Sequence, residues 1–75
     1  MEARILCIVN TVLKNRGKEQ IKKINKKSNL RNDIGFDSLD LAELTVRIEA
    51  EFDIDIFEDG IVNTIGEILT KLNSK

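Results

Sequence analysis

The chain has 75 residues, of which 41% are hydrophobic and 33% charged, with a formal net charge of −1. That length supports a single domain over residues 1–75 with a thin core, and argues against an enzyme built around a deep enclosed pocket. Histidine is absent and cysteine occurs once, at Cys7, which removes the commonest general base and metal ligand and excludes an intramolecular disulfide.

No apolar run approaches the roughly 18 residues that span a bilayer, so no membrane insertion is expected. Met1-Glu2-Ala3 leads directly into a charged helical pattern, without the look of a secretory signal, and one cysteine suits a reducing, cytoplasmic setting. The small net charge hides a division. Residues 1–31 hold nine Lys/Arg against two Asp/Glu, a balance of +7, and residues 32–75 hold three against eleven, a balance of −8. The basic half centres on Lys14, Arg16, Lys18, Lys22, Lys23, Lys26 and Lys27. No aromatic residue interleaves it for base stacking, so it reads as a solvated, partly flexible loop and not as a nucleic-acid site.

Ile5, Ile8, Val9, Val12 and Leu13 recur at helical spacing and predict an amphipathic helix over about 3–15, stopped at Gly17. Cys7 falls off that stripe, as a small residue on the outer face. Residues 18–36 show no sustained period. Ile21, Ile24, Leu30 and Ile34 are spaced as anchors for a long loop pinned to the core, with a helical turn expected near Ile21.

Asp37 or Ser38 can cap a second helix running to about Glu51. At about 100° per residue, Leu41, Leu44, Thr45, Ile48 and Phe52 form a core stripe. Leu39, Ala42, Val46 and Ala50 fall on another side, flanked by Asp40, Glu43 and Glu49. A second apolar stripe with an acidic rim reads either as scattered surface residues or as a docking face. Asp53–Phe57 is expected to be an extended connector with Ile54 or Ile56 buried, and Glu58–Val62 a single helical turn that Gly60 weakens. Thr64 and Glu67 fit a capping box for a last helix carrying Ile65, Ile68, Leu69 and Leu72 to about Asn73. The expected fold is all-α: three main helices, a short third helix or turn, and a long first loop.

Few residues carry chemistry. Cys/His metal clusters and Gly-rich phosphate loops are absent from the sequence, and Asp53, Asp55, Glu58 and Asp59 lack the spacing of a calcium loop; no metal site is expected. Ser38 has no histidine to act as its base. Alone, it would read as a helix cap.

Its surroundings change that. The stretch Asp33-Ile34-Gly35-Phe36-Asp37-Ser38-Leu39-Asp40-Leu41-Ala42-Glu43-Leu44 resembles the attachment motif of acyl carrier proteins, and the resemblance continues through Ile48, Glu49, Glu51, Phe52 and Ile56. It implies that Ser38 carries 4′-phosphopantetheine, installed from coenzyme A by a phosphopantetheinyl transferase. It further implies that the carrier, a monomer, catalyses nothing itself. Acyl groups ride on the arm as thioesters and are presented to fatty-acid or related biosynthetic enzymes. Acyl-transferring, condensing or ligase enzymes with basic docking patches are the implied partners. Asp37, Leu39, Asp40, Ala42, Glu43, Val46 and Glu49 match the family's partner face. Leu44, Ile48 and Ile56 are the residues that could line its acyl-chain crevice, or belong simply to the core. The near-neutral charge, Ala50, Arg47 and the short stretch from Ile56 to Ile65 depart from fatty-acid-synthesis carriers. They leave open a specialised carrier for a dedicated ligase or a polyketide-like pathway, and an unmodified helical interaction domain.

Overall fold

The computed structural model describes residues 2–58, 60 and 62–73, and three helices make up its regular structure: α1 (Glu2–Asn15), α2 (Ser38–Phe52) and α3 (Ile65–Asn73). No strand forms among the described residues; Asn29 and Thr64 make one isolated antiparallel bridge. The fold is the expected all-α bundle.

Helix α1 buries Ile5, Ile8, Val9, Val12 and Leu13 on one face, the stripe that the 3.6-residue period requires. It ends where the chain turns left-handed at Gly17, φ 69°. There Gly17 N–H reaches Lys14 O at 3.1 Å and Lys18 N–H reaches Leu13 O at 2.8 Å, the paired bonds that satisfy the last carbonyls of a helix. Cys7 is exposed. Helix α2 runs antiparallel to α1. Arg16, past the end of α1, pairs with Asp37 and Asp40 at the entrance of α2. Arg4, near its start, pairs with Glu51 at 2.9 Å and lies 5.3 Å from the centroid of the Phe52 ring. Leu41, Leu44 and Ile48 of α2 and Ile65, Ile68, Leu69 and Leu72 of α3 complete one core with Leu30, Phe36, Ile56 and Val62 of the connections.

The long first connection is ordered by side-chain amides. Asn10 Oδ1 accepts Ile21 N–H at 2.8 Å, and Asn10 Nδ2 donates to Ile21 O at 2.9 Å. With both main-chain groups of Ile21 held by one amide, the chain passes α1 without a helical turn and bends at 22–23, contrary to the turn expected there. Asn29 organises the next segment: its Oδ1 accepts the N–H groups of Arg31 and Asn32, each at 2.9 Å. Its carbonyl accepts Asp33 N–H at 2.9 Å and Ile34 N–H at 3.1 Å. Leu30, fully buried, pins this turn to the core.

Asp53 ends α2 in a left-handed conformation, φ 58°, which a short polar side chain tolerates. Ile56 is fully buried and Ile54 packs against the core, as the connector reading expects. The helical turn expected over 58–62 falls partly outside the described residues, at 59 and 61. What is described is a pair of turns, Glu58 N–H to Asp55 O and Gly60 N–H to Phe57 O, both 3.2 Å, with Gly60 at φ 134°, a conformation no helix contains.

Thr64 caps α3 by accepting Glu67 N–H at 3.2 Å. The return bond differs from the expected capping box: Glu67 Oε2 accepts from Asn63 N–H at 3.2 Å, one residue earlier than Thr64. The start of α3 is sewn to the first connection by Leu30 N–H to Asn63 O at 2.8 Å, Ile65 N–H to Ser28 O at 3.2 Å and Gly66 N–H to Lys26 O at 2.9 Å. At Gly66 the approach is so close that a Cβ would stand 2.9 Å from Lys26 O. Helix propensity favours alanine over glycine by about 1 kcal/mol, but backbone has no rotamer with which to retreat. Gly66→Ala should therefore lower stability, by about 1–2 kcal/mol, read as an earlier midpoint in urea.

Candidate functional site

The entrance of α2 is built around two aspartates three residues apart. Asp37 is the N-cap, with extended backbone (φ −99°, ψ −174°). Its Oδ1 accepts Asp40 N–H at 2.9 Å, and Asp40 Oδ2 accepts Asp37 N–H at 3.0 Å. This reciprocal box satisfies backbone donors that a helix start otherwise leaves unpaired. The cap is thus Asp37, and Ser38 is released from that duty. Ser38 is exposed at the first helical position, and among the described residues its hydroxyl makes no hydrogen bond.

Asp40 is 0% exposed. This corrects its expected place on the partner face: the carboxylate turns inward and is gripped by the end of α1. Lys18 Nζ donates to Asp40 Oδ2 and, at 2.8 Å, to Gly35 O. Arg16 Nε lies 2.9 Å from Asp40 Oδ1; that oxygen accepts no hydrogen bond, so the contact is electrostatic. Arg16 also reaches Asp37 Oδ2 at 3.3 Å. Burial pushes the Asp40 carboxyl up, but the hydrogen bonds from Lys18 and from Asp37 N–H, with the charges of Lys18 and Arg16, outweigh it and hold the group below its ordinary 3.8. Arg16 and Lys18, read from sequence as part of a solvated basic segment, are fixed structural charges. Asp-x-x-Asp at a helix start is a capping-box spacing that the sequence does show; the pairing of Asp40 with Arg16 and Lys18 is a long-range contact that no local spacing marks.

The remaining face is as the helical wheel places it. Leu39 and Val46 are 66% and 65% exposed, and Ala42, Glu49 and Ala50 are exposed beside them. Asp37 is exposed and Glu43 half-buried. Glu43 accepts from Arg47 at 2.8 Å and from Asn15 at 3.2 Å; the Arg47 bond first, then that from Asn15, lowers its pKa below the usual glutamate value, so it stays anionic. Leu44, Ile48 and Ile56 are all 0% exposed and occupy the core. The depression that opens beside Ser38 is a separate, shallow groove of about 420 Å³ lined by Arg31, Ser38, Leu41, Ala42, Thr45 and Phe57.

The α2 entrance thus presents an exposed hydroxyl with an apolar stripe below it. The sequence profile described as "Phosphopantetheine attachment site" matches residues 3–72. The acyl carrier protein of Amoebophilus asiaticus (strain 5a2) is 39% identical over 54 residues, covering 69% of this chain and 68% of that protein. No solved structure matches the chain significantly. The chain belongs to the phosphopantetheine-attachment family, as an acyl carrier protein. Members of this family bear 4′-phosphopantetheine covalently and are carriers, not enzymes. No described helix is long and apolar enough to cross a membrane.

Asp40→Asn keeps the shape of the clasp and removes its charge. Because Arg16 and Lys18 are each about a third exposed, the expected loss at pH 7 is about 1–3 kcal/mol in denaturant melts. A folded-state pKa below the unfolded one gives stability that is full above the unfolded value and lost as pH falls through the folded value. The gap between wild type and Asp40→Asn should therefore be constant at neutral pH and close below pH 3.8.

Proposed function

We propose that Ser38 is the attachment point of the phosphopantetheine arm and that the exposed face of α2 is where partner enzymes dock. The observation that carries this reading is the division of labour at the α2 entrance: Asp37 caps the helix, and the adjacent hydroxyl is exposed and makes no hydrogen bond among the described residues. The residues fit the group. A phosphodiester on Ser38 sits over the positive end of the α2 dipole, where backbone N–H groups favour an anion. The two neighbouring carboxylates would oppose it, but Arg16 and Lys18 already compensate them. The arm supplies a thiol for thioesters; the protein supplies a fixed anchor and a surface to recognise.

Leu39, Ala42 and Val46 form the apolar centre of that surface, with Asp37, Glu43 and Glu49 as its acidic rim and Asp40 withdrawn from it. A small patch with one sign of charge at its edge favours rapid encounter and rapid release. Partners with basic patches, namely a phosphopantetheinyl transferase and acyl-transferring, condensing or ligase enzymes of the cytoplasm, fit it. The acyl cargo is that of fatty-acid or related biosynthesis. Arg47 within the rim and the exposed Ala50 favour a dedicated partner as a second reading, because both dilute the acidic field along α2.

Two experiments check the reading. Incubation with coenzyme A and a promiscuous phosphopantetheinyl transferase should add one arm, about 340 Da by intact mass, and Ser38→Ala should add none while remaining folded. A folded wild-type protein that gains no mass would point instead to an unmodified interaction domain. Val46→Asp should leave the melting curve within about 0.5 kcal/mol of wild type and slow loading by weakening docking, whereas Leu44→Asp should unfold the bundle by burying a charge.

A further inference from the structure

We propose that Arg31 holds the phosphate of the arm, seating the tether in the groove along α2; this rests on Ser38 being the attachment point. Arg31 and Ser38 line the same groove of about 420 Å³, and the other lining residues, Leu41, Ala42, Thr45 and Phe57, carry no charge. Arg31 is exposed. Its guanidinium makes no ion pair or hydrogen bond among the described residues, whereas Arg4, Arg16, Lys18 and Arg47 are all engaged with carboxylates.

Its backbone is not free to wander. Arg31 N–H is bound by Asn29 Oδ1 at 2.9 Å, and the preceding Leu30 is fully buried, with its N–H on Asn63 O and its carbonyl on Phe36 N–H. An unpaired guanidinium is thus presented from a rigid turn into a depression whose rim bears the anchoring hydroxyl. A phosphodiester keeps one negative charge at neutral pH, and guanidinium is the side chain best matched to phosphate oxygens. Beyond the phosphate, the pantoyl part of the arm has a gem-dimethyl carbon, which the apolar walls of Leu41, Ala42 and Phe57 suit. Arg31 is a positioning residue in this scheme. It biases the arm toward a seated state, and a partner's basic patch competes with it for the phosphate and frees the arm.

The test compares apo and holo forms of wild type, Arg31→Gln and Arg31→Lys by two-dimensional amide NMR, after intact mass confirms loading of each. In wild type, loading should shift the amides of Arg31, Ala42, Thr45 and Phe57 as well as those at 37–39. In Arg31→Gln the shifts at 42, 45 and 57 should fall roughly two- to fivefold, the range that an exposed ion pair can supply. Arg31→Lys should restore part of them, and about 1 M salt, with a screening length near 3 Å, should diminish them in wild type. Loaded wild type with shifts confined to 37–39, or Arg31→Gln with undiminished shifts, overturns the clamp while leaving the attachment site standing. Absence of mass gain in every form removes the attachment site and the clamp with it.

Discussion

The carboxylate of Asp40 is the point where the two halves of the chain, one basic and one acidic, are tied together. It is fully buried, yet it stays ionised because two cations from just past the end of α1 and one backbone N–H from the cap converge on it. Removing a carboxylate from water costs several kcal/mol unless such partners are in place. Its burial therefore requires the C-terminal end of α1, the loop carbonyl of Gly35 and the first turn of α2 to meet in one geometry. The clasp acts as a register pin as much as a source of stability, setting where α2 begins relative to the rest of the bundle.

That placement explains how one short helix serves two masters. Leu41, Leu44 and Ile48 face inward, so α2 is anchored by burial worth about 1.5–3 kcal/mol per large side chain. The opposite side is left with Leu39 and Val46 open to solvent. Since the cap is made by Asp37 and the clasp by Asp40, neither task falls on Ser38. The hydroxyl stands on a rigid element, so under the proposed attachment an arm would be anchored firmly at its base.

Much of this was legible in the residues. The period of Ile5, Ile8, Val9, Val12 and Leu13, and the two stripes on α2, located the helices and separated core from surface, because burial on a helix is a matter of angle. The stretch from Asp33 to Leu44 pointed to the attachment family because several residues had to agree in order. What escaped was contact between segments distant in sequence. Nothing local to Asp40 tells a helix-wheel argument that Arg16 and Lys18, more than twenty residues earlier, will neutralise it, so it was read as a rim residue. Likewise Asn10 looks like an ordinary polar position on α1 until Ile21 folds against it. The buried positions of Leu44 and Ile48 followed from periodicity, while the connector reading left burial open between Ile54 and Ile56; whether Leu44, Ile48 and Ile56 line a crevice or fill a core depends on packing that periodicity does not encode.

The central claim is that paired aspartates lock the helix entrance and leave Ser38, one of the two residues between them, unspent. Native-state amide hydrogen exchange across 37–40 tests it most directly. The N–H groups of Asp37 and Asp40 are bonded by each other's side chains, whereas those of Ser38 and Leu39 have no acceptor among the described residues. The account predicts slow exchange at 37 and 40, approaching that of core amides such as Leu44, around fast exchange at 38 and 39. Uniformly fast exchange over all four positions, in an otherwise protected bundle, would contradict it.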